Sequence, residues 1–178
     1  MALRLIERLV DALIARAKRT PYEHLPGYME RYWLVKPNSW FPFAVRIHHI
    51  LRSDDDRHMH DHPWRWCSMI LRGHYYELTP ASHEDLSLRR RELVLHVDGE
   101  RVAIRRYNSG AIRIRQATAR HKLVLDSGSS VWSLFIMGRQ VQTWGFYTPE
   151  GKVPWFEYLN ANEVAAQRAA HLRFGISE

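Results

Sequence analysis

The chain has 178 residues, a hydrophobic share of 46%, a charged share of 25% and a single cysteine, Cys67. That length suits one compact domain with a core large enough to need no cross-links. One cysteine excludes an internal disulfide framework and any cysteine-rich zinc module, so a reducing cytoplasm is the expected compartment. A formal charge of +7 admits an anionic partner without demanding one, and the 11 histidines are about three times what average usage would give.

Residues 1–18 set Leu3, Leu5, Ile6, Leu9, Val10, Leu13, Ile14 and Ala17 at spacings of three and four, which predicts an amphipathic helix. Arg4, Glu7, Arg8, Asp11 and Arg16 interrupt it too often for a transmembrane segment or a signal-peptide core. The expectation is a helix packed on the outside of the main domain. Its basic face lying on a membrane surface is the alternative.

Beyond Pro21 no long helical period returns until the end of the chain. Short runs rich in β-branched and aromatic residues take its place, at 32–35, 43–51, 64–71, 74–78, 93–97, 102–107, 111–115, 122–125, 131–137 and 143–147, and each predicts a strand. Arg72-Gly73, Asp98-Gly99, Asn108-Ser109-Gly110 and Ser127-Gly128-Ser129-Ser130 are the turn signals between them. Asp98-Gly99 between two apolar runs predicts a hairpin. Many short strands at close spacing predict a β-sandwich or barrel. A short last helix over 160–173 closes the chain, with Ala165, Ala169 and Leu172 on one stripe. The expected organisation is a helix over residues 1–20 packed on a single domain over 21–178.

The chemistry concentrates in Arg57-His58-Met59-His60-Asp61-His62-Pro63-Trp64. In an extended chain alternate residues share a face, so His58, His60 and His62 point the same way. Imidazoles two residues apart can converge on one ion, and imidazole suits Fe, Zn, Cu and Ni. The outer pair would stand about 13 Å apart at the Cα atoms, so two ligands from this segment is the sensible number. The alternative is a histidine-bearing solvent edge with no metal.

This segment resembles the first motif of the cupins, His-x-His followed after several residues by Glu and then Gly, with His60 and His62 as the pair and Gly73 closing the motif. The second motif is matched by Gly110, the run 111–115 and His121, with Gln116, Thr118 and Leu125 replacing its Pro, second Gly and Asn. Trp144-Gly145-Phe146-Tyr147-Thr148-Pro149 and the following residues to Trp155 are similar to a group of uncharacterised bacterial and phage-associated cupins. The resemblance covers roughly residues 45–158. It implies a double-stranded β-helix, the jelly-roll barrel of mainly β class, to which the periodicity above adds a helix at each end, and His60, His62 and His121 as ligands of one divalent metal ion. No Glu stands at Trp66 or Cys67, where the fourth ligand belongs. A three-His site is that of the cysteine dioxygenase branch, which favours Fe(II), with Zn, Mn and Ni as alternatives. Cys67 falls where animal cysteine dioxygenases also carry a cysteine, but the Ser-x-His-x-Tyr signature of that family is missing after His121. A packed strand cysteine is therefore the other reading of Cys67.

His58, Trp66, Cys67, Tyr75 and Glu77 complete the candidate set, as pocket or supporting residues. Glu77 could face the interior beside Tyr75 and orient a ligand or act as an acid or base, or sit on the rim. Asp54-Asp55-Asp56 reads as a solvated turn, because no spaced oxygen ligands follow it. Nine Lys and Arg against three acids fall between Arg89 and Arg120, where Arg113 and Arg115 alternate with Ile112 and Ile114. A basic outer sheet face is the expected result. Nucleic acid is not an expected partner, since interleaved aromatics and a reading helix are missing. A small anionic substrate drawn by an arginine near the barrel mouth is the alternative use.

Three functions follow from the resemblance and the site. The first is a metal-dependent cupin acting as a non-haem Fe(II) dioxygenase on a small polar substrate. The second is a small-ligand-binding cupin without turnover. The third is a sugar-type cupin epimerase using a His base and a Tyr acid such as Tyr75. The resemblance also implies a homodimer.

Overall fold

Glycine-punctuated runs of alternating residues disfavour helix after Pro21, and the chain folds mainly as antiparallel strands. The structure, a computed structural model, describes residues 2–38, 40–54, 58–81, 93–97 and 100–159. Helix α1 (Ala2–Ala17) opens it. The strands are β1 (Pro21–Leu25), β2 (Met29–Val35), β3 (Ala44–Ile50), β4 (Trp64–Arg72), β5 (His74–Pro80), β6 (Leu93–Val97), β7 (Glu100–Asn108), β8 (Ile112–Arg115), β9 (Lys122–Val124), β10 (Val131–Gln140), β11 (Gly145–Thr148) and β12 (Gly151–Pro154). A short helix, α2 (Trp155–Tyr158), follows. The helix expected over 160–173 and the turn Asp98-Gly99 lie outside the described residues, although the strands flanking that turn pair antiparallel as the hairpin requires.

One sheet runs β1-β2-β3-β10-β4-β8, a second runs β6-β7-β5-β9, and β11 pairs with β12. Strand β10 returns between β3 and β4, while consecutive β4 and β5 pair with β8 and β9 respectively. Gly73 makes the sharp passage from β4 to β5. Its φ of +86° suits glycine, and a Cβ there would lie 2.7 Å from the Ser130 carbonyl oxygen. The two sheets close on each other through Ile50, Ile70 and Val131 from one and Tyr75 and Leu123 from the other.

Alternation along β3 sends Ile47 to the reverse of the large sheet, where Ile14 and Ala17 of α1 meet it with Tyr32 and Trp132. Only the C-terminal half of α1 packs in this way; Leu5, Ile6 and Leu9 are exposed. Thr20 fixes the helix end, its hydroxyl donating to the Ala17 carbonyl at 3.0 Å and its own carbonyl accepting from the Trp33 N–H at 2.8 Å. No helix of the described residues is long and apolar enough to cross a membrane. Strands β1 and β12 were not expected from sequence. Each begins or ends on proline, which suits the edge of a sheet but erases the alternating pattern.

Candidate metal centre

Residues 58–62 run between His121 and Phe146 of β11, with His60 bridged to both, and Pro63 separates them from β4. His60 exchanges both backbone hydrogen bonds with His121, each 2.9 Å, and the His62 N–H donates to the Ala117 carbonyl at 3.0 Å. The Tyr147 N–H donates to the Met59 carbonyl at 2.8 Å. These bonds bring together segments far apart in sequence. Asp61, on the opposite face, is fully buried and accepts from the Gly145 N–H (2.9 Å), Gln142 Nε2 (3.0 Å), Tyr147 Oη (3.0 Å) and Lys152 Nζ (2.6 Å). The carboxylate between the two histidines therefore clamps the β11–β12 hairpin onto the segment that carries them.

With His60 and His62 turned inward, three imidazoles meet. One nitrogen from each of His60, His62 and His121 lies within 4.8 Å of the others. His121 is fixed by Glu77, whose Oε1 is 2.7 Å from His121 Nδ1. Arg113 donates to the same oxygen at 2.7 Å and Arg115 to the other at 3.1 Å. Two guanidiniums can only donate, so Glu77 is an acceptor carboxylate, even though burial pushes its carboxyl up against the downward pull of Arg115. His121 Nδ1 therefore carries the proton and Nε2 presents a lone pair. His62 Nε2 is 2.9 Å from that Nε2.

This donor set fits a divalent cation. Two nitrogens held about 2.1 Å from one ion at a right angle stand about 3 Å apart, matching His62 and His121. Burial, followed by the neighbouring imidazoles, holds His62 well below the usual histidine range. Burial, followed by His60 and Arg113, does the same for His121. Both rings are thus neutral, the form that binds metal. Around His60, Asp54 Oδ2 stands 3.9 Å from Nδ1 and accepts from the Leu123 N–H at 2.9 Å, while Asp54 Oδ1 accepts from the Tyr28 hydroxyl. Asp54 is buried, so the acidic run does not begin as the solvated turn expected from sequence.

The other candidate residues separate cleanly. Trp66 lies under the triad, its ring 5.3 Å from both His62 and His121. Tyr75 is buried in the cavity wall and Glu77 is 1% exposed. His58 turns to Tyr158, with Nδ1 2.8 Å from its hydroxyl, and does not join the triad. Cys67 follows Trp66 on the opposite face of β4, paired across the sheet with Ile114 and Ile136, and does not line the cavity. Strand β8 reverses the expectation of a solvated basic face. Arg113 is 6% exposed and points inward, while Ile112 and Ile114 are 62% and 75% exposed. The buried carboxylate of Glu77 supplies the reason, since it needs cations beside it.

The cavity has a volume of about 240 Å³. Its floor is the inner face of the large sheet, and register places neighbours that sequence spacing does not show. One cross-strand row runs Trp33, Arg46, Phe135, Ser68 and Arg113, and the next runs Arg31, His48, Ser133 and Ile70. Arg46, His48 and Arg31 were not anticipated. The signal available was the pattern Arg46-x-His48, two polar residues between Ala44 and Ile50 on one face of the strand.

No protein-family model and no curated protein matches this sequence. Solved structures do. A cupin-2 domain protein from Rhodospirillum rubrum superposes with a TM-score of 0.50 at 10% identity, over 84% of this chain and 86% of that one. The fold is that of the cupins. A cupin 2 conserved barrel domain protein from Rhodopseudomonas palustris reaches 0.48 at 14% identity, over 74% of this chain and 78% of that one. Hydroxypropylphosphonic acid epoxidase from S. wedmorenis reaches 0.48 at 13% identity, over 68% of this chain and 56% of that one. At these identities the likeness is one of cupin fold alone, and function has to be argued from the site.

Proposed function

We propose that this cupin barrel is a metal-dependent enzyme, a non-haem Fe(II) dioxygenase acting on a small polar substrate, with His60, His62 and His121 as its ligands. The observation that carries the reading is the convergence of three imidazoles, with Glu77 holding the bare nitrogen of His121 toward the other two. A divalent ion there would supply Lewis acidity and, as iron, one-electron chemistry toward O₂, with positions left open by a set of only three protein ligands.

The chain's own residues do the rest. Glu77 keeps the His121 proton on Nδ1 and so keeps Nε2 available. Three neutral ligands cancel none of a cation's charge, and Arg113 and Arg115 compensate the nearby Glu77. Trp66, Phe135, Trp144 and Phe146 line the cavity and shield the centre from bulk water, which strengthens every electrostatic contact inside.

Elemental analysis of protein made with iron supplied and handled without air is the test. Near one equivalent of metal is expected, lost in His60→Ala and in His121→Ala. Oxygen uptake is then measured against a panel of thiols, diketones and carboxylates. Metal-free protein would overturn the reading. Stoichiometric metal with ligand-dependent melting but no oxygen uptake would leave a binding cupin, and turnover by metal-free protein would point to acid–base epimerisation.

A further inference from the structure

Six buried side-chain polar atoms among the described residues have no hydrogen-bond partner: Arg46 Nε, His48 Nε2, Trp64 Nε1, Trp66 Nε1, Tyr75 Oη and Arg113 Nε. All six residues line the cavity described above. Buried polar atoms are seldom left unpaired, and gathering them in one place marks where a partner binds. Four of the six are N–H groups of Arg and Trp, which only donate. The partner they fit is rich in acceptor oxygens.

Arg46 stands apart from the others. Arg113 is already engaged by Glu77, and Arg31 is bonded to Glu23 at 3.2 Å, whereas Arg46 forms no salt bridge among the described residues. Its guanidinium lies over two aromatic rings, 4.0 Å from the centroid of Tyr22 and 4.2 Å from that of Trp33. This cation–π seat holds one face of the plane, a hydrogen bond to Tyr22 engages part of the guanidinium, and the edge N–H at Nε is left for an in-plane hydrogen bond. Burial lowers its pKa to about 10, so it stays charged at neutral pH. His48 lies two residues along the same face of β3, and burial keeps it neutral. The ring of Phe135 joins this corner to the metal centre, its centroid 4.9 Å from that of His48 and 5.9 Å from that of His62.

We propose that Arg46 and His48 form a subsite for the carboxylate group of a small substrate whose other end reaches the three-His centre. The charge balance favours a monoanion: Arg31 and Arg46 both feel the Glu23 carboxylate, which Arg31 already engages, while Asp54, the carboxylate of the cavity lining, stands beside His60, so one positive charge is left over next to His48. A carboxylate matches a guanidinium edge with two parallel hydrogen bonds, and the adjacent imidazole offers a third polar contact. The substrate orientation rests on the metal-enzyme reading above; the carboxylate subsite itself does not.

Isothermal titration calorimetry with butyrate, butyramide and methylphosphonate tests this, on chelator-stripped and on metal-loaded protein. Butyrate is expected to bind the stripped protein, and Arg46→Met to weaken it about tenfold or more while one metal equivalent is still taken up. Butyramide binding as tightly as butyrate would overturn the proposal with wild-type protein alone, whatever the folding of the variant. Tighter binding of methylphosphonate than of butyrate would overturn the carboxylate assignment. Butyrate binding that vanishes with the metal and ignores Arg46→Met would mean that the ion holds the carboxylate, and would also overturn it. If the protein takes up no metal but binds butyrate through Arg46, the subsite stands and the dioxygenase reading falls; metal uptake without butyrate binding gives the reverse.

Discussion

Replacing Glu77 by glutamine keeps its shape and removes the charge to which Arg113 and Arg115 donate. An amide NH₂ would then face a guanidinium, and the His121 proton would lose its anchor. Supporting carboxylates of this kind affect metal affinity by about 10–100-fold, so Glu77→Gln is expected to bind metal that much more weakly in competition with a chromophoric chelator. Much of this site was legible residue by residue. His-x-His spacing placed His60 and His62 on one face, and the motif supplied His121. Glu77 was visible as a candidate, but its partners were not. Arg113 and Arg115 approach it from β8, 36 and 38 residues later, and only strand register can say which way a run of alternating Ile and Arg faces. Arg46 and His48 escaped for the same reason. Their neighbours Trp33, Phe135 and Arg31 come from other strands, and no local pattern encodes a cross-strand row.

At the scale of elements, the β11–β12 hairpin hangs on Asp61. Asp61→Ala would strand the buried Gly145 N–H and leave Lys152, Gln142 and Tyr147 without their shared acceptor. A loss of about 2–4 kcal/mol is expected, read in thermal melts as about 2–4 °C per kcal/mol, with faster amide exchange concentrated at residues 145–154. The hairpin has a second tight point. A Cβ on Gly145 would lie 2.2 Å from the Val153 carbonyl oxygen, so Gly145→Ala is expected to spread the two strands and lower the melting temperature even with Asp61 intact. Ten of the strands were readable as short β-branched and aromatic runs, their ends displaced by a few residues. The hairpin was half readable, since 143–147 was expected as a strand and its partner was not. A four-residue segment opened by glycine and ended by proline has no alternation to read, and Asp61 declares its role only when the hairpin is in place.

Across the whole molecule, three imidazoles, His48 and His121 buried and His62 half-buried, make the metal-free protein sensitive to acid. His48, His62 and His121 are all held well below the ordinary value of 6.5, with burial as the first cause. As pH falls through about 6.5 the unfolded chain takes up protons that the folded chain refuses, so stability falls with pH. The slope approaches about 1.4 kcal/mol per pH unit for each ring that stays neutral. Chelator-treated protein should therefore melt progressively lower from pH 7 to pH 5, and a flat profile would contradict the burial of these rings. The composition hinted at this through the histidine count, but only burial separates His48, His62 and His121 from surface histidines such as His96. One further consequence concerns chain entropy. An ion held by His62 and His121 ties residues 59 positions apart, yet the backbone pair between His60 and His121 has already closed that loop. The ordering cost that makes a zinc finger collapse without its zinc is met here by the barrel before any cation arrives. Stripping the ion should leave a folded protein that rebinds it at once, and the free energy of rebinding should appear almost wholly as affinity.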